Sequence, residues 1–162
     1  MKLRKLELRD APLMQEWMHD PDVVGHLSTN FSEKTLEDCQ RFITWSESAR
    51  EDLHLAIADD DDVYMGTVSL KHIHDGTAEF AITVRACAMG NGYSHFGMDA
   101  ILHHGRDGLG LGKIYWCVSP KNARAVRFYD KNGYTRTDDV PQSISQHYTH
   151  EQLAEFIWYV FE

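Results

Sequence analysis

From Lys2 to Leu8, Leu3, Leu6 and Leu8 are interleaved with charges, the pattern of an edge strand. The period then lengthens to that of a helix. Leu13, Met14, Trp17 and Met18 share one face, with Asp10 as the expected cap and Pro12 in the first turn. Residues 20–31 carry proline and glycine and predict a loop. Ser32 or Thr35 then opens a second helix to about Ser48, with Leu36, Cys39, Phe42 and Ile43 as its buried stripe. Three strands follow, over about 53–58, 63–72 and 77–85, joined by turns at Asp59–Asp62 and Asp75-Gly76.

A further helix is predicted from Gly92 to about Asp107, with Tyr93, Phe96, Ala100 and Ile101 on one stripe, broken by Gly108–Gly112. Lys113 to Val118 reads as a buried strand. Asn122 to Lys131 reads as a short helix stopped by Asn132-Gly133. Tyr134 begins another strand, residues 138–150 are polar and irregular or briefly helical, and Phe156 to Phe161 is a last apolar strand. The order βααβββαβαββ predicts an α/β (α+β) fold, a mixed sheet covered by helices, in one domain over 1–162.

Composition narrows the function classes. The chain is 43% hydrophobic and 25% charged, as an ordinary soluble globule is. It has no apolar run near the ~18 residues of a membrane span. The charged N-terminal stretch is unlike a signal peptide, so a cytoplasmic location is expected. A formal charge of −9 supplies no basic stripe for nucleic acid. Cys39, Cys87 and Cys117 are too scattered for a disulfide framework or a zinc knuckle. His72 and His74, spaced to share a strand face, show no evident carboxylate or cysteine partner, and with the pair His103-His104 they read as scattered surface histidines, so no metal is expected. The Asp59–Asp62 run lacks the alternating ligands of a calcium loop and reads as a solvated turn.

Two segments carry chemistry. Met89-Gly90-Asn91-Gly92-Tyr93-Ser94 sits at a strand-to-helix corner, where glycines let the backbone approach an anion and the first helical turn presents unpaired N–H groups. Downstream lies Asn122-Ala-Arg-Ala-Val-Arg-Phe-Tyr-Asp-Lys-Asn-Gly-Tyr134. The two segments at this separation, with the element order, resemble the GNAT superfamily of acetyl-CoA-dependent N-acetyltransferases over nearly the whole chain. The likeness is nearest to the branch that holds ribosomal-protein N-terminal and small-molecule acetyltransferases.

The resemblance implies acetyl-CoA as co-substrate. Its pyrophosphate would rest on Met89, Gly90, Asn91, Gly92, Tyr93 and Ser94, with Met89 standing where the family carries a basic or amide residue. His95 and Lys131 are minor candidates near the phosphates. Ile82, Thr83 and Val84 would pair with pantetheine through their main chain, with Asn122 nearby. Tyr129 matches the tyrosine that serves the departing thiolate, and Asn122 is equally a helix cap. Glu79 matches the glutamate that deprotonates the amine; it could instead be a sheet-surface residue opposite Lys71.

Nothing in the sequence places a serine or cysteine nucleophile beside an orienting base, which predicts direct transfer without a covalent enzyme intermediate, although Cys117 adjoins the cofactor strand. By family analogy the acceptor is a small-molecule primary amine, an amino sugar or its nucleotide being one candidate. Trp17, His26, Asn30, Trp116 and Trp158 are candidate walls of its pocket. A protein N-terminus as acceptor, or a CoA-binding module without catalysis, are the alternatives. A homodimer is compatible with such a chain.

Overall fold

The computed structural model describes residues 1–162 apart from His26 and Ser28. The strands are β1 (Lys2–Lys5), β2 (Leu53–Ala58), β3 (Tyr64–His74), β4 (Thr77–Val84), β5 (Lys113–Val118), β6 (Thr135–Arg136) and β7 (Ile157–Phe161). They form one sheet in the order β1-β2-β3-β4-β5-β7-β6. Each neighbouring pair is antiparallel except β4 with β5. The helices are α1 (Ala11–Met18), α2 (Pro21–Val24), α3 (Leu36–Ser46), α4 (Tyr93–His103), α5 (Ala123–Lys131), α6 (Gln142–Ser145) and α7 (His150–Glu155). Among the described residues, no helix is long and apolar enough to cross a membrane.

Strand alternation sorts the core into two layers. Ala56 on β2 faces a cluster with Met14, Trp17, Cys39, Ile43 and Tyr64, so α1 and α3 cover that side. Its neighbour Ile57 faces the opposite cluster with Val68, Leu70, Ile101, Ile114 and Trp116, under α4 and α5. A Cβ built on Gly97 would stand 2.4 Å from the Ile57 side chain. Glycine at this position therefore lets α4 settle directly on β2. A third, smaller cluster of Tyr115, Ile144 and Trp158 closes the C-terminal end.

Several local expectations are corrected. The first strand stops at Lys5, because Leu8–Asp10 turns as a short 3-10 helix. Asp10 does not cap α1; its carboxylate takes two hydrogen bonds from Arg4, at 2.8 and 2.9 Å, and one from the Glu7 amide at 2.9 Å. Thr35, rather than Ser32, caps α3 through a reciprocal pair with Asp38. Leu36 lies in the first turn of that helix and is exposed. The expected loop at 20–31 contains α2, whose Asp20 accepts from the Asp22 amide. The helix expected to reach Asp107 ends at His103, and a π turn covers His104–Gly108.

Candidate functional site

The parallel ladder between β4 and β5 holds for three pairs only, Thr77 with Lys113, Ala78 with Ile114 and Glu79 with Tyr115. Beyond Glu79 the strands part. β4 stays paired with β3 as far as Val84, and β5 stays paired with β7 as far as Val118. The gap between them is a cleft of about 200 Å³ lined by Phe80, Ile82, Trp116, Val118, Asn122 and Tyr129 among others. The Arg85 amide donates to Met65 on β3 at 2.9 Å. Strand alternation then turns the main-chain groups of Thr83 toward β3 as well, and those of Ile82 and Val84 toward the gap. Of the three residues expected to serve pantetheine, Ile82 and Val84 have their amides on the open edge.

At the far end of β4 a short 3-10 turn, Ala86–Ala88, leads into the glycine corner. Gly90 and Gly92 adopt φ of +76° and +87°, a region costly for other residues. The Asn91 side chain braces the corner by donating to the Cys87 carbonyl at 3.0 Å. Gly92 precedes α4, so the amides of Tyr93, Ser94 and His95 open into the space before the helix. Met89 is partly exposed and brings no charge. The Arg124 guanidinium lies 3.7 Å from where a Gly90 Cβ would be, so α5 brings a cation beside the corner. Sequence reading missed Arg124, since nothing local ties it to the corner.

The Tyr129 ring packs against Trp116 and Tyr159, with centroids 5.5 and 5.1 Å away. Its hydroxyl makes no hydrogen bond among the described residues, and the residue lines the cleft. Burial, then nearby Tyr159, Cys117 and Tyr134, push the phenol above its ordinary range. Asn122 Oδ1 accepts from the Ala125 amide at 3.3 Å, which caps α5 and leaves the side-chain NH₂ for the cleft.

Glu79 is buried mid-strand with 2% of its surface exposed, and it lines the cleft from the side opposite Tyr129. Its Oε2 accepts a short hydrogen bond from the Tyr148 hydroxyl. Its Oε1 has no hydrogen bond, with Lys71 Nζ at 3.7 Å and His72 Nε2 at 3.5 Å. Lys71 is thus the cross-strand neighbour anticipated from the sequence. His72 reaches the same carboxylate because a register shift after Lys71 and a φ of +54° at His72 break the alternation. That bulge also corrects the expected common face of His72 and His74. His72 stacks on His147 at 3.7 Å, whereas His74 is exposed and pairs with Asp75. Tyr148, 69 residues from Glu79, has no local signal and was missed. Cys117 lies 3.7 Å from the Tyr148 hydroxyl, and burial pushes its thiol up to about 12, so it is a protonated, poor nucleophile at neutral pH.

A second cavity, of about 420 Å³, lies between the sheet and the α1–α3 layer. Met14, Trp17, Met18, Phe31 and Phe42 form its apolar wall; His54, Thr67 and Ser69 form a polar floor. Of the candidate walls, Trp17 lines this cavity and is pinned by its indole N–H donating to Tyr64 at 2.9 Å. Trp116 lines the cleft. Trp158 belongs to the C-terminal core, Asn30 is exposed, and His26 lies outside the described residues. The fold also brings a serine to a histidine that the sequence did not show together: Ser69 Oγ stands 2.6 Å from His54 Nδ1.

The acetyltransferase (GNAT) domain family matches residues 1–135. No curated protein matches the chain. A solved spermidine N-acetyltransferase from Vibrio cholerae, in complex with CoA and spermine, is similar at a TM-score of 0.78 and 17% identity, over 99% of this chain and 94% of that one. A GNAT-family acetyltransferase from Bacillus anthracis is similar at a TM-score of 0.73 and 18% identity, over 98% and 92% of the two chains. At such identities the likeness to these structures is one of fold.

Proposed function

The chain belongs to the GNAT acetyltransferases and is an acetyl-CoA-dependent N-acetyltransferase, and from that premise we propose that it acetylates the primary amine of a small molecule, directly and in the cytoplasm. The observation that carries this is the meeting of the two cavities. Lys71, Ala81 and Ile82 line both the cleft and the larger cavity, so a donor in one and an acceptor in the other share a strand.

In this reading the diphosphate lies on the glycine corner and the open amides of Tyr93, Ser94 and His95, with Arg124 alongside, and pantetheine runs into the β4–β5 gap. The Ile82 or Val84 N–H takes the carbonyl oxygen as it gains charge. Glu79 removes a proton from the attacking nitrogen, directly or through water, while Tyr148 holds the carboxylate in place. The carbon–sulfur bond then breaks, and the Tyr129 hydroxyl hydrogen-bonds the departing thiolate. An ordinary phenol is already a weaker acid than a thiol, by an amount equivalent to about 2 kcal/mol. Burial at Tyr129 raises the phenol further, so its role is to stabilise the thiolate, and the proton that finally neutralises it comes from the amine.

The cavity supports a compact monoamine. Asp38 is the one carboxylate among its lining residues, and it is occupied by the Thr35 cap; Lys34, Arg41 and Lys71 line it too. A polyamine would bring positive charge to these cations. An amino sugar would set a flat face on Trp17 and its hydroxyls on Thr67, Ser69 and Thr83. A panel of glucosamine, phenethylamine, spermidine and a short peptide, read by product mass, tests the proposal. Acetylation of the compact monoamines is expected. Spermidine as sole substrate would overturn the compact monoamine, the peptide as sole substrate would overturn the small-molecule acceptor altogether, and bound acetyl-CoA without turnover on any amine would make the chain a binding module.

A further inference from the structure

Ser69 on β3 and His54 on β2 are direct partners in the sheet, and the 2.6 Å contact joins Ser69 Oγ to His54 Nδ1. The other ring nitrogen, Nε2, lies 3.3 Å from Asp52 Oδ2. Asp52 is itself held, since its Oδ1 accepts from the His72 amide at 3.0 Å. His54 and Ser69 are both buried and both line the cavity assigned to the acceptor. α3 lays the rings of Phe42 and Trp45 over the imidazole, with centroids 4.8 and 5.6 Å away. The charged groups facing His54 are Asp52 and Lys71, and the same cavity carries Lys34, Asp38 and Arg41. The proton transfers described above use none of the three residues.

We propose that Ser69, His54 and Asp52 form a proton relay that converts the bound acceptor from ammonium to free amine before it attacks. The relay rests on the reading of this cavity as the acceptor site. The chemistry requires an outlet of this kind. An ammonium must lose two protons to become an amide, and the thiolate takes up only one. In the relay an ammonium N–H bond breaks and its proton passes to Ser69 Oγ. Ser69 gives its own hydroxyl proton to His54 Nδ1, and the imidazolium is balanced by Asp52. When product leaves, the proton returns through Ser69 to the water that refills the cavity.

Burial keeps the resting imidazole neutral, Lys71 adding to that and Asp52 opposing it. The apolar wall and the cations of the cavity also disfavour an ammonium there, which brings donor and acceptor of the proton closer in strength. Ser69 is not placed to be a nucleophile. It sits mid-strand with neighbours on both sides, so no unpaired amide adjoins its hydroxyl to hold an oxyanion. In this scheme Ser69 touches the substrate, and His54 and Asp52 act through it.

The test compares two acceptors in the full-length enzyme. One is an alkylamine, free in only about 1 of 2,500 molecules at pH 7 if its basicity is that of lysine. The other is an O-alkylhydroxylamine, already neutral at that pH. Ser69→Ala and His54→Gln are expected to lower kcat/KM for the alkylamine by about tenfold or more at pH 7. The deficit should narrow as pH rises. The hydroxylamine should lose much less than the alkylamine at pH 7, and its loss should not change with pH, with acetyl-CoA affinity unchanged. Equal losses on both acceptors, an alkylamine deficit independent of pH, or no loss would overturn the relay. A second measurement needs no variant: ¹⁵N NMR of the imidazole at neutral pH is expected to show a bare Nδ1 and a protonated Nε2. The opposite tautomer would overturn the relay. A wild-type enzyme that acetylates neither compound would sink the acceptor-cavity reading, and the relay with it.

Discussion

Replacing Tyr129 by phenylalanine removes one hydroxyl and little else. The ring is fixed by Trp116, Tyr134 and Tyr159, all within 6.2 Å between centroids, and phenylalanine keeps that packing. The hydroxyl has no partner among the described residues, so its loss breaks no internal hydrogen bond, and the melting temperature should move by no more than about 2 °C. Turnover should respond strongly. A hydrogen bond to a charged group contributes about 1.5–3 kcal/mol. At 1.36 kcal/mol per decade, its absence from the thiolate-forming step lowers kcat by roughly 10- to 150-fold. Because burial raises the phenol, the wild-type hydroxyl stays protonated throughout the assay range, and the ratio of the two enzymes should be flat between about pH 6 and 9. Thiol release gives kcat and KM, and calorimetry gives the acetyl-CoA affinity. That affinity should hold, since a thioester sulfur is a poor acceptor and the gain appears only as charge develops. Weakened acetyl-CoA binding with normal turnover, or a melting temperature several degrees lower, would refute this account and make Tyr129 a structural residue.

Three further outcomes follow from the geometry. Gly97→Ala places a methyl 2.4 Å from the Ile57 side chain, and overpacking of that kind costs about 1–3 kcal/mol against about 1 kcal/mol of helix propensity gained, a net loss of up to about 2 kcal/mol. Its melting temperature should fall, by up to about 8 °C, and a rise would mean that α4 does not pack as described. Arg124→Ala should weaken acetyl-CoA binding about two- to fivefold at low salt, less at high salt, with kcat intact. Equal affinities at low salt would remove Arg124 from the phosphate site. The third concerns pH. Burial holds the His54 pKa below its ordinary 6.5, so just below that pH the unfolded chain binds a proton that the folded chain resists. Stability should therefore rise with pH through this window and be complete above it. Urea unfolding at pH 5 and 7.5 should show a smaller difference for His54→Gln than for wild type; identical differences would contradict the shift.

Much of the fold was legible because its signals are local. The hairpin at Asp75-Gly76 shows in its residue types, and both residues take positive φ as such a turn requires. The Thr35 cap and the Asn122 cap were visible for the same reason, each being a side chain that meets an amide three residues on. Asp10 shows where local signals fail. It has the chemistry of a cap, but Arg4, brought beside it by the turn between them, competes for the carboxylate with two charge-assisted hydrogen bonds.

The candidate site divides in the same way. The glycine corner and the Asn122–Tyr134 segment are contiguous, so their backbone demands are written in neighbouring residues. Glu79 with Tyr148, Ser69 with His54 and Asp52, and Gly90 with Arg124 join separate elements, and pairings of that kind leave no mark on periodicity or spacing. Alone, the sequence determined the main strands and longer helices and the glycine corner between residues 89 and 94, since torsional preference and side-chain alternation act over a few residues; short elements such as α2 and α7 left no such mark. Only the tertiary structure decided that β4 leaves β5 after Glu79, and which polar groups line the opening. That outcome depends on how β3, β7 and the two helical layers compete for the same strands, a balance of contacts between residues far apart in the chain.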